Sequence, residues 1–171
     1  MSAMMISKDL IVQKYKLTPH PEGGYFKETF RSDVQVEMKN EEGVMISRTA
    51  STAIYFLMTP GNVSRFHRIK SDEVWHFYLG TSISVIELDE ETGGFIRTIV
   101  GPNILNGETV QYTVKAGRWF GSFPNAPAPV DLSSMSEDTF SFVGIRTIFN
   151  YIHFTHYTHY THDTHDTHDT S

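Results

Sequence analysis

The sequence predicts an all-β sandwich or barrel preceded by one short helix, and three observations carry that prediction. Eight or so short segments of strand length follow one another between Ala50 and Ile148. Turn-forming residues separate them at nearly regular spacing: Pro60-Gly61, Gly80, Gly93-Gly94, Gly101-Pro102-Asn103, Ala116-Gly117 and Pro124 to Pro129. Only the stretch behind Ser7 has a helical pattern. At 171 residues, 39% hydrophobic and 13% aromatic, the chain suffices for one ordinary domain with a sizeable core.

Taken in order, Ser7 caps a helix whose Leu10, Ile11 and Tyr15 share roughly one face, and Thr18-Pro19 ends it. The turn TPHPEGG (Thr18 to Gly24) feeds a strand over Tyr25 to Phe30, and Glu37 to Glu42 form a charged loop. The strands expected next are Ala50–Met58, Ser64–Ile69, Glu73–Leu79, Ser82–Leu88, Phe95–Val100, Thr109–Val114, Arg118–Phe123 and Thr139–Ile148. The C-terminus departs from this pattern. THYTHYTHDTHDTHDTS (Thr155 to Ser171), with His153, places six of the nine histidines at every third residue. A period of three suits neither strand nor helix, so 151–171 is a low-complexity tail.

Composition excludes several classes of function. The formal charge of −6 comes without a basic stripe, so no nucleic-acid partner is expected. The absence of cysteine removes disulfides, thiolate nucleophiles and cysteine-based zinc sites. The N-terminus lacks the apolar core of a signal peptide and no segment approaches a membrane span, so a cytoplasmic protein without a membrane partner is expected.

The chemistry concentrates in GNVSRFHRIKSDEVWHFYLG, Gly61 to Gly80. If Ser64–Ile69 and Glu73–Leu79 pair as antiparallel strands about a solvated Lys70-Ser71-Asp72 turn, alternation puts Arg65, His67 and Ile69 on one face. Glu73, Trp75, Phe77 and Leu79 then share a face of the neighbouring strand. Facing a barrel interior, these rows form a pocket with a cation, an imidazole and a carboxylate between aromatic walls. His67 and Glu73 are the candidate catalytic residues, the imidazole as general base and the carboxylate orienting it. Arg65 would clamp an anionic group, and Trp75, Phe77 and Trp119 are the candidate ligand-binding aromatics. The same rings would also serve simply to fill a barrel. His76, three residues from Glu73, points the other way. His20 would order the N-terminal arm, with Glu22 or Glu28 at the pocket rim.

The stretch resembles the first motif of the cupin superfamily: a glycine, five residues, His67, then Glu73, six residues, Gly80. Ile69 stands where metal-binding cupins carry a second histidine, and Phe120 stands at the histidine position of the second motif. Within the superfamily the chain is similar to the cupin-5 (DUF985) group. The matching blocks are HPEGGYFKETFRS (His20 to Ser32), TAIYFLM (Thr52 to Met58), SRFHRIKSDEVWHFYLG (Ser64 to Gly80) and AGRWFGS (Ala116 to Ser122). The resemblance spans roughly residues 10 to 144. After Phe140–Gly144 the chain departs from it, with IRTIFNYIHF where the family has a Cys-containing strand and a Pro-Gly-Phe-Asp-Phe type segment.

That resemblance implies a cupin-type double-stranded β-helix, or jelly roll, over residues 1–150. An N-terminal helix and arm occupy about 1–48 and the barrel about 49–150. It also implies a homodimer and a small-molecule ligand inside the barrel. The expected function is small-molecule binding with metal-free isomerase or epimerase chemistry on a sugar or other polar metabolite. The alternatives are a non-catalytic binding protein and a metal-dependent cupin enzyme. No cofactor is expected. Any metal would fall to His67 and Glu73, with incidental binding at His156, His159, His162, His165 and His168 in the tail.

Overall fold

The N-terminal helix forms where its cap requires. Ser7 is extended and its hydroxyl accepts the Leu10 N–H at 3.2 Å, opening α1 (Lys8–Tyr15). Lys16, with φ 53°, closes it. The structure, a computed structural model, describes residues 6–40, 42–125 and 139–149. The His-rich tail and its candidate incidental metal ligands lie outside the described residues.

Twelve strands follow α1 among the described residues: β1 (Thr18–Pro19), β2 (Tyr25–Arg31), β3 (Gln35–Lys39), β4 (Met45–Thr49), β5 (Ser51–Met58), β6 (Ser64–His67), β7 (Asp72–Gly80), β8 (Ile83–Leu88), β9 (Phe95–Val100), β10 (Gln111–Val114), β11 (Phe120–Pro124) and β12 (Ser141–Ile148). They form a six-stranded sheet in the order β1-β2-β5-β12-β7-β10 and a four-stranded sheet in the order β6-β11-β8-β9, all antiparallel. Packed face to face, the two make the all-β jelly roll that the sequence predicts.

The core between the sheets draws on both. Phe56, Trp75, Val114, Val143 and Ile145 come from the larger sheet and Ile83, Val85, Val100 and Phe120 from the smaller. A second cluster, including Ile11, Leu57, Phe140 and Phe142, seats α1 on the outer face of the six-stranded sheet. Tyr15 stacks there on Phe142 at 5.5 Å and meets Tyr55 edge-on at 4.9 Å.

Three sequence expectations are corrected. The charged Glu37–Glu42 segment is not simply a loop, because β3 and β4 pair as a separate hairpin with Lys39 opposite Met45. β6 and β7 do not pair with each other. They belong to different sheets and face one another across the interior, because the Arg68–Ser71 connection crosses from one sheet to the other. That connection is also not a wholly solvated turn, since Ser71 and Asp72 are buried. The Asp72 carboxylate accepts the Lys115 ammonium at 2.8 Å and the Ala116 N–H at 2.9 Å, tying the start of β7 to the turn before β11.

Candidate functional site

The turn joining β1 to β2 is the first part of the site. His20 N–H donates to the Gly24 carbonyl at 2.9 Å, and Gly23 N–H donates to the His20 carbonyl at 3.0 Å. Gly24 has φ +75°, and a Cβ there would sit 2.6 Å from the Leu57 carbonyl oxygen, so both conformation and space require glycine. Gly24→Ala should cost at least about 1–2 kcal/mol from the left-handed backbone alone, measured by urea unfolding. The same substitution should loosen His20 and Glu22, which this turn aims inward.

A cavity of about 350 Å³ opens at this end of the barrel. The turn contributes His20 and Glu22, β6 contributes Ser64 and His67, and the connection to β7 contributes Ile69, Lys70 and Ser71. The six-stranded sheet supplies Glu73 and Trp75 from β7, Ile54 and Phe56 from β5, and Ile145 and Thr147 from β12, with Phe149 beyond β12. His67, Glu73 and Trp75 thus line one cavity.

Arg65, Phe77 and Trp119 do not line this cavity. In β6 two residues pair with β11 out of step, Ser64 with Ser122 and His67 with Phe120, so one extra residue is bulged out. Strict alternation therefore fails: Ser64 and His67 face inward while Arg65 is exposed. Phe77 packs against the main core instead, and Trp119 lies under the Arg68 guanidinium, 5.3 Å from its ring centre. His76 meets its cross-strand neighbour Gln111, with 3.1 Å between Nδ1 and the amide nitrogen.

The carboxylate beside His67 is Glu22, not Glu73. His67 Nδ1 lies 2.7 Å from the Arg65 carbonyl oxygen and 3.3 Å from Glu22 Oε2. Both are acceptors, so Nδ1 carries the proton and a neutral ring has its lone pair on Nε2. The imidazole packs on Phe120, with ring centres 4.3 Å apart. His20 has the opposite tautomer: its Nδ1 accepts the Glu22 N–H at 3.1 Å, which leaves the proton on Nε2. Burial between Phe26 and Phe56 lowers the His20 pKa, with the Glu22 charge opposing and His67 adding to the shift. His20 is thereby kept neutral as a donor.

Glu73 is held differently. Its Oε2 accepts the Trp75 indole N–H at 3.1 Å. Among the described residues no buried side-chain polar atom lacks a partner, so its other oxygen opens to the cavity. Burial pushes its pKa up to about 7, the Trp75 hydrogen bond opposes the shift, and the nearby Glu22 charge adds to it.

Glu22 is what sequence reasoning could not place, since Glu28 was an equal alternative. The structure separates them: Glu28 instead holds Arg31, with Oε1 and Oε2 at 2.9 and 2.6 Å from its guanidinium. Lys70 and Phe149 carried no sequence signal of their own.

A family model described as "Cupin superfamily (DUF985)", Cupin_5, matches residues 9–151. The chain belongs to the Cupin_5 family. Among its relatives, the uncharacterized protein YML079W of Saccharomyces cerevisiae is 32% identical over 123 residues, covering 66% of this chain and 59% of the relative. The chain thus matches well under two thirds of that relative's length. A hypothetical protein from Leishmania major is 34% identical, with a TM-score of 0.69 over 85% of this cupin and 83% of that chain. Protein SO0799 from Shewanella oneidensis is 30% identical, with a TM-score of 0.67 over 84% and 78% of the two chains.

The donors of this cupin do not fit the metal centre of metal-binding members. Ile69 and Phe120 are apolar, Ile69 lining the cavity and Phe120 packed on His67. Among the described residues no group of three or more His, Asp or Glu side chains is placed to hold a metal ion. Among the same residues no helix is long and apolar enough to cross a membrane.

Proposed function

We propose that the cavity binds a small polar metabolite and that the protein epimerises or isomerises it by metal-free acid–base chemistry. The observation that carries this reading is a base and an acid reaching the cavity from opposite sheets. His67, from β6, has a lone pair on Nε2, and Glu73, from β7, still holds its proton near neutral pH. Removal of a carbon-bound proton from one face and its return to the other require this pairing.

His67 Nε2 takes a proton from the carbon next to a carbonyl group. The electron pair moves onto the carbonyl oxygen, where the His20 Nε2–H donates to the developing charge. Glu73 then delivers its proton to the opposite face of the same carbon, leaving an imidazolium and a carboxylate that exchange protons with water to restore the starting state. Glu22 and the Arg65 carbonyl orient His67 by holding its Nδ1–H. Ile54, Phe56, Ile69 and Trp75 keep the site apolar, which strengthens each of these interactions.

The test is deuterium incorporation at carbon in D₂O across hydroxy- and oxo-metabolites that bind the protein. His67→Ala and Glu73→Gln should each lower the exchange rate by at least about 10²-fold. The rate should also fall above pH 7 as Glu73 loses its proton. If ligands bind but no carbon-bound proton exchanges in the wild type, the protein is a binding protein and the acid–base reading fails.

A further inference from the structure

The inner face of the six-stranded sheet carries a polar row leading away from Glu73. Cross-strand pairing sets Glu73 opposite Thr147, Thr147 opposite Thr52, and Thr52 opposite Arg31. Residues paired in this way project from the same side of a sheet. The row therefore runs from a carboxyl through two hydroxyls to a guanidinium, over three inter-strand steps or about 14 Å at about 4.8 Å per step. It is continuous in its middle, where the Thr52 and Thr147 hydroxyls bond to each other at 2.7 Å.

At the far end of the row lies a second cavity, of about 330 Å³. It shares Thr147 and Phe149 with the first, so the two cavities adjoin at these residues. Arg31, Arg48, Thr49 and Thr52 line it as well. Arg31 is balanced by Glu28 and lies 3.4 Å from the Thr49 hydroxyl. Arg48 is brought in by the β3–β4 hairpin, and its guanidinium has no hydrogen bond or ion pair among the described residues. Two guanidiniums set against one carboxylate and several hydroxyls leave the second cavity net positive. Planar donor forks among hydroxyls suit a tetrahedral oxyanion.

We propose that the metabolite carries a phosphate monoester that seats in this second cavity against Arg48 and Arg31, while its uncharged end lies between His67 and Glu73. This rests on the reading of the first cavity as a small-molecule site and narrows the substrate to a phosphorylated one long enough to reach from one cavity into the other. Arg48 then takes the anion-binding part that alternation had assigned to Arg65.

Isothermal titration of the full chain with inorganic phosphate tests it, at pH 8 so that the histidines of the tail are largely neutral. Saturable binding is expected. Arg48→Gln, at an exposed position, should weaken it at least tenfold, Arg48→Lys should weaken it less, and His67→Ala should change it by less than twofold. Acetate at matched ionic strength should bind at least tenfold more weakly than phosphate. The proposal is overturned if Arg48→Gln has no effect, if acetate matches phosphate, or if His67→Ala weakens phosphate as much as Arg48→Gln does. Phosphate binding that depends on Arg48, without carbon-bound proton exchange, would remove the proposed reaction and leave this site standing.

Discussion

Glu73→Gln is expected to stabilise the protein by about 3 kcal/mol at pH 8 and by only a few tenths of that figure's unit at pH 4.5. The Glu73 pKa lies near 7 in the folded chain, against an ordinary 4.5. Between those values the folded protein holds a proton that the unfolded chain has already released. Stability therefore falls as pH rises from about 4.5 to about 7, and above pH 7 the full penalty of a recessed carboxylate is in place. Glutamine keeps the shape, can still accept the Trp75 indole N–H, and carries no charge to bury. Urea unfolding of both proteins at the two pH values measures the difference, and equal stability at pH 8 would show that Glu73 is not held at a cost. Together with the expected loss of proton exchange, a gain would mark Glu73 as a position where stability is given up for chemistry.

Trp75→Ala is expected to destabilise by about 3–5 kcal/mol, the usual cost of removing a large ring from a packed core. Trp75 is only 1% exposed and meets Phe56 edge-on, with ring centres 6.3 Å apart. It also touches the chemistry directly, because its indole N–H favours the ionised form of Glu73. Trp75→Phe separates the two roles. It retains most of the packing and removes the donor, so the Glu73 pKa should rise above its present value of about 7. Carbon-13 NMR titration of the Glu73 carboxyl reads this, and an unchanged or lower pKa in Trp75→Phe would mean that the indole does not control the acid.

These two predictions concern residues that the sequence singled out, whereas much of what surrounds them did not show there. Alternation from Glu73 to Trp75 holds in β7, so their common face was legible. The same rule failed at Arg65, because one bulged residue in β6 reverses which side chains face inward and a bulge leaves no mark in the alternation pattern. The partner of His67 was equally hidden. Glu22 lies 45 positions earlier in the chain, and it reaches the imidazole only because the Gly23-Gly24 turn folds the N-terminal arm over the barrel end.

Local chemistry in the chain was enough for most of the strands, though not the β3–β4 hairpin, and for the Ser7 cap, the glycine turns and the cupin motif, since propensities, capping and spacing act within a few residues. Which strands became neighbours was settled by burial across the whole molecule. That put β6 and β7 in opposite sheets, so His67 and Glu73 approach the cavity from two sides rather than side by side. It also aligned Glu73, Thr147, Thr52 and Arg31, from four strands scattered along the sequence, in one row. Pairing across a sheet depends on contacts between distant segments, and no window of the sequence contains both partners.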